Sequence, residues 1–139
     1  MKVREAMTKA VSTASRQERL LKVAQMMKAE DTGFIPVVDG ESLVGVITDR
    51  DIVLRCLAEG HSDILNESVE HCMSANAVTV DPDADLSEAA RLMEDREIRR
   101  LAVVQNGRLV GVLSHGNLVQ ATQANGPGDT ATLGVTKGA

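Results

Sequence analysis

The sequence predicts an α/β chain made of two successive β-α-β-β-α repeats, and three observations carry that prediction. Sliding the 139-residue chain by 66 residues lines up Val3–Gly60 with Val69–Gly126 without a gap; 15 of the 58 aligned positions are identical, against roughly 4 expected from average composition. Each copy places small and aliphatic residues at helical spacing: Leu20, Val23, Ala24 and Met27 in the first, Leu86, Ala89, Ala90 and Met93 in the second. Each copy then shows two short β-branched runs flanking a turn dipeptide, Asp39-Gly40 or Asn106-Gly107.

In chain order, Val11–Ala14 is expected to add a short strand ahead of the first helix. Ile35–Val38 and Leu43–Ile47 are expected to form a hairpin, and a second helix to begin near Asp49. The polar run His61–Ser68 reads as a connector. Val78–Val80 is the second copy's short first strand, and Asp81-Pro82-Asp83 supplies helix-start signals and acidic first-turn residues. Leu101–Val104 and Leu109–Leu113 repeat the hairpin, with a helix from near His115. The organisation expected is therefore repeat 1 over 1–60, linker 61–68, repeat 2 over 69–125 and a mobile tail over 126–139. Gly45 and Gly111, inside strands, mark close approach of another backbone rather than a phosphate-cradling loop. A unit of about 55 residues buries too little surface to be secure alone, so two units packed sheet against sheet are expected.

Composition excludes several functions. Phe34 is the only aromatic residue, which leaves no platform for stacking single-stranded bases. Fifteen basic against twenty acidic side chains give a net charge of −5, so no overall basic field attracts nucleic acid or an anionic membrane. No apolar run approaches the roughly 20 residues that span a bilayer, and the opening residues lack a signal-peptide stretch. Two cysteines, Cys56 and Cys72, are too few for a disulfide scaffold and suit a reducing cytoplasm.

Gly45-Val46-Ile47-Thr48-Asp49-Arg50-Asp51-Ile52 follows Ile35-Pro36-Val37-Val38, and the openings Val3-x3-Met7-Thr8 and Val69-x3-Met73-Ser74 match each other. This twice-used pattern of Gly-x-aliphatic-Thr-x-x-Asp after an aliphatic-Pro-Val-Val strand resembles the cystathionine β-synthase (CBS) domain pair, from Val3 to about Ala124. The resemblance implies a regulatory module rather than a catalyst. It also implies an adenosine-containing ligand (AMP, ADP, ATP, NAD or S-adenosylmethionine) in clefts between repeats, and a homodimer forming a four-repeat disc. With no enzyme attached, such a chain would act as a free-standing sensor on an unknown partner, by shifting populations of its own packing.

The candidate site follows from what a nucleotide needs. One carboxylate can accept a hydrogen bond from each of two neighbouring ribose hydroxyls, and Asp51 is the candidate. The Thr48 hydroxyl can bond ribose or phosphate, Asp49 and Arg50 share the same turn, and the helix start offers free N–H groups. The resemblance places Arg99 and Arg100 near phosphates; alternatively they pair with carboxylates across a dimer interface. Val11, Thr13, Ile35, Pro36 and Ala102 complete the expected lining. Thr48-x-x-Asp51 is equally a capping box, and both roles are compatible. In the second copy the motif becomes Ser114-His115-Gly116-Asn117; Asn117 has no charge, so two unequal clefts are expected, with Asp51 in the stronger.

His61, His71, His115, Cys56 and Cys72 show neither Cys-x-x-Cys nor His-x3-His spacing. They read as unrelated histidines and ordinary thiols, with no metal ligands assigned and a metal at a subunit interface left open. The methionines read as core. No nucleophile–base motif stands out, so no catalytic residue and no catalytic cofactor are expected. The competing readings are an interaction module with degenerate pockets and a small metal- or redox-responsive protein.

Overall fold

A computed structural model describes residues 1–125; the expected tail 126–139 lies outside them. In chain order the elements are α1 (Val3–Ala6), α2 (Leu20–Glu30), β1 (Phe34–Asp39), β2 (Ser42–Thr48) and α3 (Asp49–Asp51). A π-helix (Ile52–Leu57) and two 3-10 turns (Ile64–Asn66 and Val69–His71) follow, then β3 (Thr79–Val80), α4 (Leu86–Arg96), β4 (Arg100–Gln105), β5 (Arg108–Ser114) and α5 (His115–Asn125). The described residues form two compact units, one over Ser12–Ala77 and one combining Met1–Val11 with the segment from Val78 to Asn125. The units are thus cut differently from the sequence repeats: the opening segment of each repeat packs in the unit built by the rest of the other.

In the 12–77 unit, β1 and β2 pair antiparallel from Phe34↔Thr48 to Asp39↔Ser42. The register shifts between Val37 and Val38, which leaves Val44 as the extra residue of a β-bulge next to Gly45. The turn uses Gly40 at φ +62°, the left-handed conformation that a residue without Cβ adopts freely. The expected Val11–Ala14 strand shrinks to a parallel bridge between Ala14 and Val37, with Ala14 N–H donating to the Pro36 carbonyl and Val38 N–H to that of Ala14. Leu20, Val23 and Met27 of α2 pack with Ile35, Val37 and Ile47 of the hairpin. Val69, from the second repeat's opening, is fully buried in the same cluster.

The other unit repeats this plan. β4 and β5 pair from Arg100↔Ser114 to Gln105↔Arg108 with the same bulge, now leaving Val110 extra. Asn106 and Gly107 both have positive φ, the two-residue turn that Asn-Gly favours. β3, two residues long, pairs parallel with β4. Leu86, Ala89, Ala90 and Met93 of α4 pack with Leu101, Val103 and Leu113, and Val3 of α1 is fully buried among them. Val3 N–H donates to the Ala84 carbonyl, and Arg4 pairs with Asp83 at 2.8 Å.

Two features lay outside the sequence reading. Helices α2 and α4 end on Asp31 and Glu97 in the left-handed conformation, positions where Gly is the usual signal. The helix expected from Asp49 has only three α-helical residues before it widens into the π-helix.

The cap of α4 is Asp85, whose carboxylate accepts from Ser87 N–H and Ser87 O–H. Those bonds, the backbone one first, hold its carboxyl below the ordinary Asp value. A carboxyl depressed on folding contributes stability above its unfolded value and loses that contribution as pH falls through the folded one. Asp85→Ala is therefore expected to lower the thermal midpoint by a few degrees at neutral pH. The gap should close in the acid range below the ordinary carboxyl value, which a pair of melting curves at neutral and strongly acidic pH measures.

Candidate ligand-binding site

At the end of β2, Thr48 N–H donates to Asp51 Oδ2 at 2.9 Å and Asp51 N–H donates to Thr48 Oγ1 at 3.1 Å. This is the reciprocal capping box that the spacing predicted. The cap uses only part of either side chain. Asp51 Oδ1 forms an ion pair with Arg55 Nε at 4.0 Å, longer than a hydrogen bond, and the Asp51 side chain is 16% exposed. The Thr48 hydroxyl, already an acceptor, keeps its proton to donate. Asp49 and Arg50 are exposed on the same turn; Asp49 Oδ1 accepts from Arg50 N–H, and Asp49 N–H donates to the Gly33 carbonyl. Strand pairing sets Phe34 opposite Thr48, so the turn sits at the end of the hairpin.

The second copy keeps this geometry with other chemistry. Ser114 N–H donates to Asn117 Oδ1 at 2.9 Å and Asn117 N–H to Ser114 Oγ at 3.0 Å. The carbonyl oxygen is occupied by the cap, which leaves the Asn117 amide as a donor where Asp51 offers an anionic acceptor. Arg100 pairs with Ser114, and His115 N–H donates to the Arg99 carbonyl. The structure thus gathers Arg99, Arg100, Ser114 and Asn117 in one unit, and Thr48, Asp49, Arg50 and Asp51 in the other. In the first copy the positions of the two arginines are held by Gly33 and Phe34.

The expected lining divides. Val11 is half-buried and Thr13 exposed, whereas the Ile35, Pro36 and Ala102 side chains are buried. A groove of about 470 Å³ beside β3 and α4, lined among others by Asp81, Glu88, Arg91 and Asp95, includes none of the candidate residues.

Cys56 and Cys72, expected as ordinary thiols, are paired as a disulfide with their Cα atoms 6.1 Å apart. Both are fully buried. Nor are the nearby histidines unrelated: His61 Nδ1 pairs with Glu67 Oε1, and His71 Nδ1 lies 3.3 Å from Glu67 Oε2. Those contacts, the His61 one first, hold the Glu67 carboxyl below its ordinary value. The spacing Cys56-x4-His61-x5-Glu67-x4-Cys72 matches no short motif, because the 3-10 turns rather than one regular element bring these residues together.

The family model for the CBS domain matches residues 3–57 and 69–123. The chain belongs to the CBS-domain family. It carries two CBS repeats in a mixed α+β architecture. It is 34% identical over 134 residues to the CBS domain-containing protein YhcV of Bacillus subtilis (strain 168), covering 96% of this chain and 94% of that one. The structure of a putative acetoin utilization protein (AcuB) from Vibrio cholerae is similar with a TM-score of 0.82 and 28% identity, covering 90% of this chain and 92% of that one. CBSX2, solved in complex with AMP, is similar with a TM-score of 0.80 and 27% identity, covering 89% of this chain and 97% of that one. Among the described residues of this CBS pair, no helix is long and apolar enough to cross a membrane.

Proposed function

We propose that this CBS pair is a regulatory sensor of an adenosine-containing ligand, with Asp51 as the ribose anchor. The observation that carries the reading is the partly used cap: Asp51 keeps a carboxylate oxygen, and Thr48 a hydroxyl proton, after capping the turn. A charged acceptor for a vicinal diol beside a hydroxyl donor suits a nucleoside. The AMP bound by CBSX2, a relative in structure, supports this ligand class. Arg50 supplies positive charge on the same turn for a phosphate. Arg99 and Arg100 supply it beside the Asn117 turn, which lacks the carboxylate and is the weaker binder. The reading includes no catalytic step, no nucleic acid or membrane partner, and a cytoplasmic setting.

Thermal melting of the purified chain with AMP, ADP, ATP, NAD or S-adenosylmethionine tests it. A ligand that binds only the native state raises the midpoint. The expected result is a rise with at least one of the five; no rise with any of them at millimolar concentration overturns the reading. One observation favours a second reading, an interaction module that binds no nucleotide: the Ile35, Pro36 and Ala102 side chains are buried, so their apolar surface is used in packing.

A homodimer is part of the proposal. Val53, Leu54 and Leu57 on the π-helix are 50%, 46% and 60% exposed, an aliphatic face that association would cover. In the second repeat the last two of these positions are Gln120 and Gln123. Leu57→Glu is expected to convert dimer to monomer, read as a halved mass by light scattering after size exclusion. An unchanged mass would place the interface elsewhere.

A further inference from the structure

Cys56, His61, Glu67 and Cys72 bring two sulfur atoms, one imidazole nitrogen and one carboxylate oxygen within 4.8 Å of one another. We propose that in its dithiol form this cluster is a closed, four-coordinate site for a thiophilic divalent cation of the zinc class. It is separate from the nucleotide reading and does not rest on it. Two Cys thiolates with one His and one carboxylate form a donor set that tetrahedral zinc accepts, and four protein ligands without an open position make a structural rather than a catalytic site.

Three further observations support it. The ligands are held by backbone: His61 N–H donates to the Cys56 carbonyl at 3.2 Å across the end of the π-helix, and Cys72 N–H to the Val69 carbonyl at 2.9 Å. The carboxylate has an outer partner, since His71 lies on the Glu67 oxygen that does not face His61; such a contact orients a ligating carboxylate. Finally, the fold does not require the sulfurs. The repeat equivalents of Cys56 and Cys72 are Thr122 and Ala6. Thr122 is also buried, with its hydroxyl donating to the Leu118 carbonyl at 2.8 Å. The two cysteines, with His61 and Glu67, are therefore an addition confined to the 12–77 unit.

The disulfide and the metal-bound form differ by two electrons and the cation. A phosphine reductant with water supplies two electrons and two protons, opening the S–S bond to two thiols and leaving the phosphine oxide. Each thiol then releases its proton to buffer as the cation binds.

The test uses the full chain, reduced with a phosphine under native conditions and checked by mass spectrometry for two free thiols. Cobalt(II) is titrated as the spectroscopic probe, followed by zinc. The expected result is one cobalt per chain with tetrahedral d–d bands and thiolate-to-cobalt charge transfer, bleached by one equivalent of zinc. Zinc should also raise the melting midpoint of the reduced chain. Cys72→Ser and His61→Ala each remove a ligand and should weaken cobalt binding by more than the roughly tenfold to hundredfold lost with an outer partner, whereas His71→Ala, within that range, should keep the tetrahedral spectrum. Absence of thiolate charge transfer in wild-type chain with two free thiols overturns the proposal. So does an unchanged spectrum in His61→Ala, or a disulfide that the phosphine cannot open without unfolding the chain.

Discussion

Gly45→Val is expected to destabilise the chain by about 1–3 kcal/mol or more, the cost of a core substitution that forces backbone to move. A Cβ at Gly45 would stand 2.7 Å from the Ser74 carbonyl oxygen and 3.0 Å from Met73 Sδ. Met73 has flexible torsions and can give way. The Ser74 carbonyl cannot, because Val46 N–H donates to it at 3.0 Å while Ser74 N–H returns a bond to the Val46 carbonyl. Even Gly45→Ala should lower the denaturant midpoint clearly, since the clash begins at Cβ. The repeat makes the argument checkable within one molecule. Gly111 faces the Thr8 carbonyl at 2.8 Å, in a segment bonded to Val112 in both directions. Gly111→Ala should therefore cost a similar amount, whereas Gly40, with nothing within 4 Å of its Cβ position, should show only the strain of its positive φ. Urea unfolding of the four variants measures this. Equal stability of Gly45→Val and wild type would show that the strand and the opening segment do not pack this closely.

The second large effect is on ligand binding. Asp51→Ala removes the proposed ribose acceptor and the cap together, so a loss of affinity could be ascribed to a disordered turn. Asp51→Asn separates the two. Asn117 shows that an amide makes the same reciprocal cap, with Ser114 N–H on its Oδ1 at 2.9 Å, so Asp51→Asn should preserve the turn. What it removes is the charged acceptor, and hydrogen bonds to a charged group are worth about 1.5–3 kcal/mol each. Losing one corresponds to a fall in affinity of roughly tenfold to a hundredfold. Melting in the absence of ligand should show Asp51→Asn close to wild type and Asp51→Ala clearly lower.

Much of this molecule was legible because its local signals agree with one another. The α2 and α4 periodicities and the hairpin strands recur at the 66-residue offset, with the turn glycines Gly40 and Gly107 one residue out of step, and two imperfect copies constrain each other better than either does alone. The two strand glycines were read as close-approach sites, and each has a backbone carbonyl under 3 Å from the place its Cβ would occupy. Other features were hidden for physical reasons. The exchange of opening segments between units is a tertiary choice: Val3 and Val69 are equally apolar in either partner's core, so the sequence cannot say which core takes which. The π-helix after Asp51 carries no residue signal, because Ile52–Leu57 is as good an α-helix by composition. The disulfide and its His61–Glu67 neighbours match no motif because irregular turns, with no fixed period, bring them together. At the candidate site, Thr48-x-x-Asp51 announced the cap. The ribose role proposed for it rests on the family resemblance and on ligand chemistry rather than on spacing, and the burial of Ile35, Pro36 and Ala102 came only from the fold.

The most direct measurement is isothermal titration of wild type and Asp51→Asn with AMP, ADP, ATP, NAD and S-adenosylmethionine. The account predicts sub-millimolar binding of at least one of them to wild type, weakened roughly tenfold or more in the variant. Binding of equal strength to both proteins, or no heat from any ligand, would contradict it.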